Sequence, residues 1–134
     1  MAELNLNGLT VLVVEDEELL AEIVCSYIND LGASVVVATD GEEAFEVVKS
    51  RKVDLIVSDQ SMPGMTGLEL AKETKESDYY DNEHFILMTG YAQEEIAEIA
   101  PELMDHITIV NKPFDSDQFE KAIEKSIESK VKRS

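Results

Sequence analysis

The chain has 134 residues, a formal net charge of −18 and 44% hydrophobic residues, with three prolines and six glycines. That length and apolar content suit one folded domain with a real core and exclude a disordered chain. The acid excess excludes direct binding of nucleic acid or an anionic membrane by the chain as a whole, since both carry the same sign of charge.

The N-terminus, Met1 to Gly8, lacks the basic start and apolar core of a secretory signal, and no apolar run approaches the roughly 18 residues of a membrane span. The single cysteine, Cys25, forms no internal disulfide, which fits a reducing compartment, so the expected location is cytoplasmic. Leu9 to Val14 is a β-rich run too short for a helix and reads as a strand buried on both faces. Glu15-Asp16-Glu17-Glu18 follows. Leu19, Leu20, Ile23, Val24, Tyr27, Ile28 and Leu31 then recur at helical spacing, with Gly32 as the stop. Acidic side chains in a first turn complement the helix dipole, which is the plain structural account of that cluster.

The same strand-then-helix unit repeats. Ser34 to Ala38 reads as a strand and Asp40-Gly41 as the start of a helix through Lys49; Val53 to Ser58 is the third strand, delivering Asp59 at its end. Gly67 to about Lys75 is a helix, Glu76 to Glu83 a polar loop, and Phe85 to Met88 a fourth strand ending at Thr89-Gly90. Ala92 to about Ala100 is the fourth helix, which Pro101 ends or kinks. Ile107 to Val110 is the fifth strand, and Asp115-Ser116-Asp117 caps a last helix that buries Phe119, Ala122, Ile123 and Ile127, with a frayed basic tail from Lys130. Five alternating units imply an α/β domain with a parallel sheet and helices on both faces, filling residues 1–134 with a core over about 9–129. Ligands of such sheets bind outside the carboxyl ends of the strands.

Those ends carry Glu15 and Asp16, then Asp59, Thr89 and Lys112 with Pro113. Taken singly, each has a bland reading: a turn aspartate, a Thr-Gly turn, a solvated lysine. Their joint occurrence at four strand ends points elsewhere. Clustered carboxylates repel by about 4 kcal/mol per pair at 4 Å, so the set calls for a cation or protons. Oxygen-only ligands suit Mg²⁺, which favours phosphate as a co-ligand. Asp59 is then the nucleophile toward phosphorus, Lys112 neutralises charge on the transferred group, and the Thr89 hydroxyl donates to it. Met62 and Met65 read as loop packing, Cys25 as structural, His84 and His106 as surface residues away from the cluster, and Glu94, Glu95 and Glu98 as a solvated face.

Val13-Val14-Glu15-Asp16-Glu17, Asp59 with Met62-Pro63-Gly64-Met65-Thr66-Gly67, Met88-Thr89-Gly90 and Asn111-Lys112-Pro113-Phe114 together resemble bacterial two-component response-regulator receiver domains of the chemotaxis-protein type. The resemblance implies a doubly wound, flavodoxin-like (βα)₅ fold with strand order 2-1-3-4-5. It implies that Asp59 accepts a phosphoryl group, and that Asp16 and Asp59 ligate Mg²⁺ directly with the backbone carbonyl of Ser61, Glu15 acting through water. Lys112 would pair with the phosphoryl group, and Lys112–Pro113 would be a cis peptide. Thr89 would move toward the phosphoryl group while an aromatic ring of the fifth strand turns inward, altering the surface of the fourth helix, fifth strand and last helix. Ile109 stands at the ring position, so the usual rotating ring is missing. Tyr91 is a candidate cover or substitute switch, against the plainer reading of a half-exposed loop aromatic. Gln60 finds no role.

The expected partners are a sensor histidine kinase or histidine phosphotransfer protein and a downstream protein target, with the chain a monomer or weak dimer and either a single-domain regulator or a receiver excised from a larger protein. It is not expected to be an enzyme beyond its own phosphorylation and slow dephosphorylation. A phosphatase of the haloacid-dehalogenase type would want a second aspartate where Ser61 stands. A flavodoxin-like cofactor binder would not place four carboxylates, Glu15 to Glu18, at its phosphate loop. A pseudo-receiver that works without phosphorylation would not need the set Asp16, Asp59, Thr89 and Lys112, although Ile109 leaves that reading room.

Overall fold

β-branched runs alternating with amphipathic stretches give a five-stranded parallel sheet, seen in a computed structural model that describes residues 4–79 and 84–133. The strands are β1 (Thr10–Val14), β2 (Ser34–Ala38), β3 (Leu55–Asp59), β4 (His84–Thr89) and β5 (Ile107–Asn111), in the order β2-β1-β3-β4-β5. The helices are α1 (Glu18–Asp30), α2 (Gly41–Ser50), α3 (Gly67–Glu76), α4 (Gln93–Ile99) and α5 (Ser116–Arg133).

Successive strand residues point to opposite faces, so the core divides in two. Leu12, Val14, Ile56, Phe85 and Leu87 pack with α2, α3 and Ile96 of α4; Val11, Val13, Val57, Ile86 and Met88 pack with Val24 and Ile28 of α1 and Phe119 and Ile123 of α5. Both faces are covered, which is why the strands read as continuous apolar runs. Strand order reverses between β2-β1 and β1-β3, so the carboxyl ends of β1 and β3 flank the topological switch point, where ligands of this architecture bind.

Local signals set most of the boundaries. Gly32 sits at φ 101, and a Cβ there would lie 2.0 Å from Asn7 Oδ1, so only glycine closes α1 in this way. The Asp40 side chain accepts from the Glu43 amide at 2.8 Å to cap α2. At α5, Asp115 accepts from the Gln118 amide and the Gln118 side chain accepts from the Asp115 amide, both at 2.9 Å. Pro101 opens a short 3-10 turn, Pro101–Leu103, directly after α4.

Several expectations need correction. β3 begins at Leu55 and not at Val53, because Asp54 is spent on joining strands: its carboxylate accepts from the Thr10 amide at 2.9 Å, and its carbonyl accepts from the His84 amide at 3.1 Å. Leu19 and Ile23, expected on the apolar stripe of α1, are 65% and 41% exposed, because the buried line runs through Ala21, Val24 and Ile28. His84 and His106 are half-buried rather than surface residues, and the His106 ring lies 6.0 Å from that of Phe85. α5 stays helical to Arg133 where fraying from Lys130 was expected; Ser134 and residues 80–83 of the polar loop lie outside the described residues. Among the described residues no helix is long and apolar enough to cross a membrane.

Candidate phosphoryl-acceptor and metal site

β1, β3 and β5 end at one edge of the sheet and bring together four residues singled out in the sequence. Glu15 and Asp16 follow β1 directly, and Asp59 closes β3; an oxygen from each of the three carboxylates lies within 4.8 Å of the others. Lys112, one residue past β5, places Nζ 2.7 Å from Asp59 Oδ1. Glu15 and Asp59 are buried, at 2% and 4% exposure, whereas Asp16 is exposed. The apolar strands thus sink two carboxylates into the sheet edge and leave the third at its mouth.

Electrostatics define what this arrangement wants. At such separations each carboxylate pair repels by about 3–4 kcal/mol with an effective dielectric near 20. Glu15 is pushed up to about 7, mainly by burial, with the charge of Asp59 and the nearby Asp16 adding and the Glu17 amide and Lys112 opposing. One Glu15 oxygen accepts from the Glu17 amide at 3.0 Å, while the buried Oε1 finds no donor among the described residues. With all three carboxylates ionised, the cluster and Lys112 carry two net negative charges on hard oxygen donors. That set fits a small divalent cation such as Mg²⁺.

The remaining predicted residues surround this cluster. Thr89 ends β4, buried, and Asp59 pairs in register with Met88 immediately before it. Tyr91 is 46% exposed, and its amide donates to Thr89 Oγ1 at 3.0 Å. Ser61 is exposed in the loop after Asp59, and Ile109 is half-buried against the α2–α4 side of the core. The Lys112–Pro113 peptide is cis. Met62 is buried and Met65 half-buried in the loop, where Met65 lies over Gly41 so closely that a Cβ there would meet it at 2.7 Å.

Gln60, which found no role in the sequence, organises the loop that carries Ser61. Its carbonyl accepts from the Gly67 amide at 3.2 Å and its side-chain Oε1 from the Leu68 amide at 2.8 Å. Thr66 and Glu69 add a reciprocal capping box, so the first three helical amides of α3 all have acceptors. Gly67 is required on the same ground, since a Cβ would lie 2.5 Å from the Asp59 carbonyl. The signal was tertiary: Oε1 reaches an amide eight residues on, a span no local motif records. Replacing Gln60 with methionine, of similar length but without an acceptor, is expected to cost about 1–2 kcal/mol, read as a lowered denaturation midpoint.

Residues 11–124 match the family model described as the response regulator receiver domain. The chain belongs to that family. It is 30% identical over 115 residues to sporulation initiation phosphotransferase F of Bacillus subtilis (strain 168), covering 86% of this chain and 90% of that protein. It is 34% identical over 103 residues to the autoinducer 1 sensor kinase/phosphatase LuxN of Vibrio harveyi, where the match covers 77% of this chain but spans only 12% of the relative's length. The fold also matches the chemotaxis response regulator CheY4 of Vibrio cholerae, with a TM-score of 0.79, 26% identity, and coverage of 88% of this chain and 98% of that one.

Proposed function

We propose that this receiver accepts a phosphoryl group on Asp59 from a phosphohistidine donor, with Mg²⁺ in the carboxylate cluster, and presents the change to a protein target. The observation that carries the reading is the Asp59–Lys112 contact of 2.7 Å inside a cluster of three carboxylates. An Asp59 oxygen attacks phosphorus in line; the P–N bond of the donor breaks, and the imidazole leaves with its electron pair and takes a proton from solvent. Lys112 neutralises charge building on the phosphoryl oxygens, and its Nζ already stands 2.7 Å from Asp59 Oδ1. Asp16 and Asp59, with the Ser61 carbonyl, would hold Mg²⁺, and Glu15 would support it through water. When bound, the ion supplies charge neutralisation for the phosphoryl oxygens and relieves repulsion within the cluster.

The donor class is supported by the relatives, one named a sensor kinase/phosphatase and the other a phosphotransferase. The output surface is formed by α4, β5 and α5; Ile99 at the end of α4 is 62% exposed, and Tyr91, in the turn that leads into α4, is 46% exposed. No turnover of external phosphoesters is expected, because Ser61 supplies no acid or base two residues after the nucleophile. The test is incubation with a small acyl-phosphate donor and Mg²⁺, followed by intact mass and peptide mapping. One hydroxylamine-sensitive phosphoryl group on Asp59 is the expected result. No mass gain, or a gain on another residue, sinks the reading.

A further inference from the structure

Strand β5 contributes a second side chain to the site edge. Asn111, its last residue, pairs in register with Thr89. Its Nδ2 donates to the Tyr91 carbonyl at 2.6 Å and to the Thr89 carbonyl at 3.2 Å. The Thr89 carbonyl also accepts from the Lys112 amide at 2.9 Å, so both of its lone pairs are engaged. On the other side of the turn the Tyr91 amide donates to Thr89 Oγ1 at 3.0 Å. This uses the hydroxyl as an acceptor and leaves its proton free to be donated. Gly90 brings no side chain, and a Cβ there would touch nothing within 4 Å. Packing at Gly90 therefore does not hold this turn in place.

We propose that Asn111 is a positioning residue that ties the main chain of the turn after β4 to β5 and so sets the point from which the Thr89 hydroxyl reaches toward the group that Lys112 faces. The proposal rests on the reading of Asp59 as phosphoryl acceptor and deepens it. Asn111 and Lys112 are consecutive: one reaches the turn that carries Thr89, and the other reaches Asp59 Oδ1 at 2.7 Å. The Lys112 ammonium and the turn beside the Thr89 hydroxyl are therefore both tied to one dipeptide at the end of β5. Asparagine suits the task because its amide offers two N–H donors to two carbonyls. The residue is exposed, so water competes for these bonds and they add little to stability. Their effect lies in geometry, where a displacement of about 1 Å costs up to about a hundredfold in rate.

The test compares the full chain with Asn111→Ala and with Asn111→Leu, the latter of similar shape but without donors. Loading by a small acyl-phosphate donor with Mg²⁺ is followed by intact mass across donor concentrations, beside Mg²⁺ affinity by calorimetry and the melting temperature. The maximal loading rate is expected to fall about tenfold in both variants, while the half-saturating donor concentration and Mg²⁺ affinity stay within about twofold. Exchange of the Tyr91 amide with solvent should quicken in both. Variants that load at the wild-type rate overturn the inference and leave the Asp59 reading standing. A slower rate that comes with an equal loss of Mg²⁺ affinity or of melting temperature also overturns it, since that marks a structural role. A wild-type chain that loads nothing takes down both.

Discussion

Asp59→Asn is expected to abolish loading by a small acyl-phosphate donor, and Lys112→Ala to slow it by about two orders of magnitude. Asparagine keeps the shape of Asp59 at the end of β3 but offers phosphorus no carboxylate. The lysine effect is graded. At 2.7 Å a full point-charge interaction is worth about 6 kcal/mol with an effective dielectric near 20, but the Lys112 side chain is 32% exposed and water screens it. A hundredfold corresponds to about 2.7 kcal/mol, the size expected on removing one group that faces the charge developing on the phosphoryl oxygens. Time courses of phosphoryl mass gain at fixed Mg²⁺ measure both variants. Loading of Lys112→Ala at the wild-type rate would remove the lysine from the chemistry, and the 2.7 Å contact would then be structural. In Asp59→Asn, Glu15 and Asp16 remain as counter-charges for Lys112, so the fold is expected to survive and the loss to be chemical.

The strands and helices were legible in the sequence because each is announced by a periodic signal several residues long: Val11 to Val14 and Ile56 to Val57 as apolar runs, Phe119, Ala122 and Ile123 at helical spacing after the Asp115 cap. The cluster was legible for a related reason, since in a parallel sheet chemistry gathers at carboxyl strand ends, and Glu15, Asp16, Asp59, Thr89 and Lys112 all stand there. What stayed hidden was hydrogen bonding between residues with no periodic relation. Gln60 serves an amide eight residues away, and Asn111 serves carbonyls 20 and 22 residues away. Asp54 reads as strand from its neighbours, yet its carboxylate binds the Thr10 amide 44 residues back and delays the start of β3. Leu19 and Ile23 show the limit of counting apolar positions. Helical spacing places them near a stripe, but which stripe faces the sheet is decided by the packing of Val24 and Ile28.

In metal-free buffer the chain is expected to lose stability as pH rises from 5 to 8, and Mg²⁺ to restore most at the alkaline end. Glu15 sits at about 7 in the folded state against an ordinary value of 4.5. Between those values the folded chain holds more of this proton than the unfolded chain, so stability falls with rising pH. The contribution is complete below about 4.5 and is lost as pH passes through about 7. At 1.36 kcal/mol per unit the whole shift is worth about 3 kcal/mol. General repulsion in a chain of net charge −18 has the same sign. The wild type must therefore be compared with Glu15→Gln, whose metal-free profile should be flatter by the Glu15 share. Mg²⁺ competes with that proton for the cluster, so its benefit should be smaller at pH 5.5 than at pH 8, where saturation at about a hundred times the dissociation constant adds about 2.7 kcal/mol. Melting temperatures on a grid of pH and Mg²⁺ decide it. If the pH 8 melting temperature ignores millimolar Mg²⁺, the three carboxylates do not form a metal site. If Glu15→Gln keeps the full slope, the titrating group lies elsewhere.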